Sequence, residues 1–124
     1  MTTASSIIKS ALSVLNTEIS GIKLVRRTFD SNFVAAIKEL SKLKGRVIIT
    51  GIGKSGHIAN KIASTMSSTG TPAQFCHSNE MSHGDLGILS SKDILIIISN
   101  SGNSSELKDA ISFSKKNKIK TIGI

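Results

Sequence analysis

The sequence predicts an α/β fold, a three-layer αβα arrangement around a mainly parallel sheet, and three observations carry that reading. Past residue 45, short β-branched runs alternate with stretches of helical periodicity. One run, Ile94-Leu95-Ile96-Ile97-Ile98, is apolar at every position, as in strands covered on both faces. The first run is followed directly by a glycine loop, Gly51-Ile52-Gly53-Lys54-Ser55-Gly56-His57, that opens a helical stretch. In parallel sheets, ligands bind at such strand-to-helix loops, beyond the carboxyl ends of the strands.

Helices come first along the chain. Ile7, Ile8, Ala11, Leu12, Leu15 and Ile19 keep an amphipathic spacing of three and four, and Val34, Ile37 and Leu40 do the same, with Gly45 read as the C-cap of the second helix. Strands are expected at Val47 to Thr50, Ala73 to Cys76, Ile94 to Ser99 and Thr121 to Ile124. Helices are expected at Ser55 to Ser68 and Ser104 to Lys116, the lysines of the latter's end complementing the helix dipole. The last residues, KTIGI, stop inside a strand pattern, so a truncated sheet is expected.

Composition narrows the function classes. A length of 124 residues fits one domain, divided into a helical part (1–45) and a parallel α/β part (46–124). No apolar run approaches the ~20 residues of a membrane span, and MTTASSIIKS lacks the pattern of a secretory leader, so a cytoplasmic protein without membrane contact is expected. The net charge of +8 is spread along the chain, and the only aromatics are four Phe, which leaves little for stacking bases; no nucleic acid partner is expected. Cys76, the single cysteine, reads as a small strand residue.

The glycine loop admits three readings. Gly51-x-Gly53-x-x-Gly56 has dinucleotide-fingerprint spacing, but the next strand ends in Phe75-Cys76-His77 with no acidic residue for a ribose; Glu80 lies slightly beyond. Gly53-Lys54-Ser55 imitates the end of a nucleotide P-loop, yet that motif's first glycine falls on Ile48. A shorter phosphate site remains, with Ser55 at the helix start and Lys54 as a mobile cation. A second loop, Ser99-Asn100-Ser101-Gly102-Asn103-Ser104-Ser105-Glu106, adds four serines around one glycine at another strand end. The structural alternative there is a capping box with Asn103 as N-cap and Glu106 three residues on.

GIGKSGH, Ser68-Thr69-Gly70-Thr71-Pro72, Ser82-His83-Gly84-Asp85-Leu86-Gly87 and SNSGNSSE together resemble the sugar isomerase (SIS) domain of the D-arabinose 5-phosphate isomerases, from about Arg46 to the end. The resemblance implies a flavodoxin-like architecture preceded by N-terminal helices. It also implies interconversion of D-ribulose 5-phosphate and D-arabinose 5-phosphate, feeding Kdo and lipopolysaccharide biosynthesis. By the same resemblance Lys54, His83 and Glu106 fall on catalytic positions. Ser55, Ser99, Asn100, Ser101 and Ser104 fall on the phosphate cradle, Gly70 and Thr71 on a substrate-contacting turn, and His77 on a histidine associated with zinc, a metal not needed for turnover. Further implications are a homo-oligomer, more catalytic residues beyond the point where this sequence stops, and hence an incomplete site. The CBS domains carried by many members are absent from this sequence. A noncatalytic sugar-phosphate-binding module and another SIS enzyme, for example one acting on aminosugar phosphates, are the competing functions. Next to these stand plainer roles: His83 bonding backbone at its turn, His57 packing or capping, and Asp85 starting a helix.

Overall fold

The computed structural model describes residues 3–124. Met1 and Thr2, where the reading of a missing leader begins, lie outside the described residues. The chain divides into two compact units, Met1–Lys38 and Glu39–Ile124.

The first unit is helical. Helix α1 (Ala4–Val25) starts at Thr3, whose hydroxyl accepts the Ser6 N–H at 3.2 Å. A 3-10 turn, Arg26–Thr28, ends it. Asp30 then opens helix α2 (Ser31–Ser41): one carboxylate oxygen accepts the N–H groups of Asn32 (2.8 Å) and Phe33 (3.0 Å), which otherwise lack intrahelical acceptors. None of the residues of α1 is buried. Its apolar positions Ile8, Leu12, Leu15, Ile19 and Ile22 recur at alternating intervals of four and three, and all five are exposed. No helix among the described residues is long and apolar enough to cross a membrane.

The second unit is the expected layered sheet. Its strands are β1 (Val47–Gly51), β2 (Ala73–Phe75), β3 (Ile94–Ile98) and β4 (Lys120–Gly123), in the order β2-β1-β3-β4 with every pairing parallel. Helix α3 (Lys54–Ser68) connects β1 to β2, a short α4 (Ser78–Ser82) and a 3-10 turn (Asp85–Ile88) lead to β3, and α5 (Lys108–Lys116) connects β3 to β4. Alternation along the strands divides the core. Val47, Ile49, Ile94 and Ile96 pack with Ala59 and Ala63 of α3, while Ile48, Leu95 and Ile97 pack with Met81, Leu107 and Ala110 on the other side. Because both sheet faces are covered, β1 is buried at all five positions, and each fully buried Ile contributes roughly 1.5–3 kcal/mol.

Two local expectations are corrected. Gly45 is not the C-cap of α2, which ends at Ser41. It sits against the turn entering β3, its N–H donating to the Lys92 carbonyl at 3.0 Å, and a Cβ there would lie 2.8 Å from that oxygen and collide with the Asp93 carboxylate. The helix expected over Ser104 to Lys116 begins instead as a separate 3-10 turn, Ser105–Leu107, whose last N–H bonds to the Ser104 carbonyl at 3.2 Å.

Candidate functional site

The strand order places a topological switch between β1 and β3: from β1 the chain crosses to β2 on one side, then returns to β3 on the other. A crevice forms at the carboxyl ends of strands where the direction reverses. Gly51, the last residue of β1, is paired with Ile98, the last of β3, so the loops leaving these two strands stand side by side. They are the glycine loop and the serine loop.

Close packing explains two glycines of the first loop. A Cβ on Gly51 would lie 2.9 Å from the Ser55 carbonyl carbon and 3.0 Å from the Ile98 oxygen, and one on Gly56 would lie 2.9 Å from the Gly51 oxygen. The strand end and the first turn of α3 can therefore touch only without side chains at these positions. Gly53 has another reason, a φ of +53° at the N-cap. The N–H groups of Gly56 and His57 bond back to the Ile52 and Gly53 carbonyls, whereas those of Lys54 and Ser55 have no acceptor among the described residues. Lys54 is the first residue of α3 and exposed; Ser55 is half-buried. Free amides, a hydroxyl and a cation thus gather at one helix start, a combination suited to an anion.

In the serine loop, the Ser99 hydroxyl accepts the Gly102 N–H at 3.1 Å, with Gly102 at φ +64°, and the Ser101 hydroxyl accepts the Asn103 N–H at 3.3 Å. Each hydroxyl keeps its own proton available to donate, so both can serve an incoming phosphate oxygen. Ser104 is the N-cap of the 3-10 turn without a side-chain cap bond. Asn100 is exposed. The capping box is not formed, because Asn103 is not the cap and Glu106 does not reach back to it. The Glu106 carboxylate instead holds its own backbone N–H and accepts the Ser105 hydroxyl at 3.0 Å, and these bonds, in that order, hold its pKa below the usual carboxylate value. A cavity of about 370 Å³ opens beside the loop, lined by Ser99, Asn103 and Ser104 and floored by Ile97, Leu107 and Ile111.

Helix α4 packs against the 3-10 turn that carries Glu106, which brings His83 into the same region. The His83 backbone N–H closes α4 on the Asn79 and Glu80 carbonyls at 3.1 Å each, while its exposed imidazole has no hydrogen bond among the described residues. The structural task is done by the backbone and the ring is left over. Asp85 starts the following 3-10 turn, and its carboxylate is 3.9 Å from the buried Cys76 sulfur. Burial first, then the Asp85 charge, pushes the Cys76 thiol up to about 11, so it stays protonated and unreactive.

Two expected site residues fall elsewhere. Gly70 and Thr71 lie at the far end of α3, just before β2, whose first residue pairs with the first residue of β1. They are at the amino end of the sheet, the length of the 15-residue α3 away from Lys54, about 20 Å. His77 caps α4, its Nδ1 accepting the Asn79 N–H at 3.3 Å. Among the described residues no group of three or more His, Cys, Asp and Glu side chains is arranged to hold a metal, against the about four ligands of a tetrahedral zinc. The bond from Ser105 to Glu106, in contrast, was not legible in the sequence, because Ser105 counts there only as one of four loop serines and neighbours in a chain are not read as partners.

Comparison with known proteins places these features in context. The family model described as SIS domain matches residues 39–124. The arabinose 5-phosphate isomerase KdsD of Francisella tularensis is 45% identical over 94% of this chain and 37% of its own length, and that of Yersinia pestis is 44% identical over 86% and 32%. The chain therefore spans about a third of the length of these curated relatives. Among solved structures, the E. coli CFT073 protein c3406 in complex with arabinose 5-phosphate superposes with a TM-score of 0.91 at 36% identity, over 98% of this chain and 64% of that one. A putative sugar-phosphate isomerase of Listeria monocytogenes superposes at 0.92 and 27%, over 99% and 65%.

Proposed function

The chain belongs to the SIS domain family, and from that premise we propose that it carries the sugar-phosphate site of an aldose–ketose isomerase interconverting D-arabinose 5-phosphate and D-ribulose 5-phosphate. The observation that carries the proposal is the pair of polar loops flanking the β1/β3 switch point, with Lys54 on one and Glu106 on the other. The relatives named as arabinose 5-phosphate isomerases and the sugar-phosphate complex of the E. coli protein support the choice of sugar.

The first-turn amides of α3, with Ser55, Ser99, Asn100, Ser101 and Ser104, take the phosphate. This anchoring holds the open-chain sugar so that its C1–C2 end lies toward Glu106. The Glu106 carboxylate removes a proton from the carbon beside the carbonyl and returns it to the former carbonyl carbon, through an enediolate, while the proton of the adjacent hydroxyl passes to the former carbonyl oxygen. Lys54 and His83 face the oxygens on which negative charge grows and lower its energy. No cofactor takes part in this scheme, which moves only protons.

We further read the molecule as a cytoplasmic homo-oligomer supplying Kdo and lipopolysaccharide synthesis. Support for self-association comes from α1, whose exposed Ile8, Leu12, Leu15, Ile19 and Ile22 follow the alternating interval of a coiled-coil seam.

The test is conversion of arabinose 5-phosphate to ribulose 5-phosphate by this chain and by any longer natural form that contains it, with Glu106→Gln beside each. Loss of roughly 10²- to 10⁴-fold in turnover with unchanged sugar-phosphate binding is expected for the variant. Turnover unaffected by Glu106→Gln would overturn the assignment, and saturable binding with no turnover in any form would favour a noncatalytic binding module.

A further inference from the structure

We propose that Ser105 is a positioning residue that holds one oxygen of the Glu106 carboxylate and leaves the other to meet the sugar, an inference that rests on the isomerase reading of the site. The Ser105 hydroxyl and Glu106 Oε2 are 3.0 Å apart, and both residues are exposed. An exposed glutamate on a helix's first turn ordinarily samples several rotamers in water, and fixing it lowers its conformational entropy. Here the side chain is folded back over its own turn, where it meets its own N–H and the hydroxyl of the preceding residue. Adjacent residues do not face each other on a regular helix, so the contact requires the Glu106 side chain to fold back toward the residue before it.

The chemistry gives this bond a direction. Ser105 donates to the ionised carboxylate and keeps its proton throughout. Glu106 takes the carbon-bound proton on its other oxygen, becoming a carboxylic acid, and gives it back to the adjacent carbon. Ionised Glu106 accepts the Ser105 bond more strongly than the acid does, so the hydroxyl favours the form that begins the cycle. It also keeps the basic oxygen in one place, which proton transfer to a bound carbon requires.

The test is a carbon-detected NMR titration of the Glu106 carboxyl in the wild type, Ser105→Ala and Ser105→Thr. The Glu106 pKa should rise in Ser105→Ala and return to its wild-type value in Ser105→Thr, which keeps the hydroxyl. Turnover should fall about tenfold in the alanine variant and recover in the threonine variant, with KM within about twofold. The acid limb of the kcat profile should move to higher pH in Ser105→Ala. A folded Ser105→Ala protein with an unmoved Glu106 titration overturns the proposal whatever its turnover. Absence of turnover in the wild type of every form, this chain and any longer natural one, would sink the isomerase reading separately, and the titration would still decide whether the Ser105 bond governs Glu106.

Discussion

The two ends of the sheet use their polar groups in opposite ways. At the amino end, Asp93 is buried and fully engaged: one carboxylate oxygen accepts the Arg46 N–H at 2.7 Å, the other the N–H and hydroxyl of Ser90 at 2.8 Å each. The Arg46 side chain adds bonds to the Gln74 side-chain oxygen at 2.9 Å and the Ile88 carbonyl at 3.2 Å, so three strand entries are tied together. At the carboxyl end, Lys54 and His83 are exposed, and their side chains have no partner among the described residues. Two serine hydroxyls there accept backbone N–H groups and retain protons to give. A saturated end holds the sheet together; an unsaturated end is chemically available.

Removing a member of each end should therefore give opposite phenotypes, and the largest expected effect on stability is at the amino end. Asp93→Ala leaves two backbone N–H groups and one hydroxyl without their acceptor, which lowers unfolding free energy by about 3 kcal/mol or more, measured by urea denaturation. Sugar-phosphate affinity of the folded fraction should stay within about twofold of wild type. If Asp93→Ala weakened binding as strongly as it weakened the fold, the division between the ends would be wrong. The pH dependence follows from the same carboxylate. Burial alone raises its pKa, but the bonds from Arg46 and Ser90 outweigh that and hold it below the ordinary value. A depressed folded pKa means that this stability is present above the unfolded pKa and is lost as pH falls through the folded one. Acid unfolding of the wild type should accordingly be steeper than that of Asp93→Asn.

A smaller effect, on both properties at once, belongs to Gly51. Its Cβ would press on the Ser55 carbonyl and the Ile98 oxygen, so Gly51→Ala must separate β1 from α3 or β3. Overpacking of this kind costs about 1–3 kcal/mol, and it displaces the two loops of the site together. Calorimetric titration with arabinose 5-phosphate should show a loss of affinity beside the lower Tm. Retained affinity in a destabilised Gly51→Ala protein would detach the strand end from the site.

Much of this was legible in the sequence, for identifiable reasons. The four strands lie within a residue or so of the expected runs, because a strand buried on both faces leaves a local trace, as Ile94 to Ile98 does. The two loops were legible as strand-to-helix connections because an apolar run and a helical pattern bracket each of them. Gly45 was misread because a glycine following a helical pattern looks the same whether it caps that helix or packs on a turn 47 residues away in sequence. Gly70 and Thr71 were placed at the site through resemblance alone, and only the strand register shows them at the opposite end. The 3-10 start before α5 was illegible because its residues keep the apolar spacing of a continuous helix through Leu107 and Ala110.

The smallest effect separates two reasons for a glycine within the same end of the sheet. Gly102 has φ +64°, and an added Cβ would meet nothing within 4 Å, so its constraint is backbone handedness rather than space. Gly102→Ala should cost about 1 kcal/mol of stability, less than Gly51→Ala, since only the left-handed conformation is penalised. Its N–H donates to Ser99, so a residue that resists this conformation draws the amide away from the hydroxyl and loosens the cradle. Asparagine tolerates the left-handed region better than alanine does. Phosphate-sugar affinity, measured by the same titration, should therefore rank wild type above Gly102→Asn above Gly102→Ala. Equal affinities in all three would show that the serine loop's shape is set by strand packing and not by its own turn.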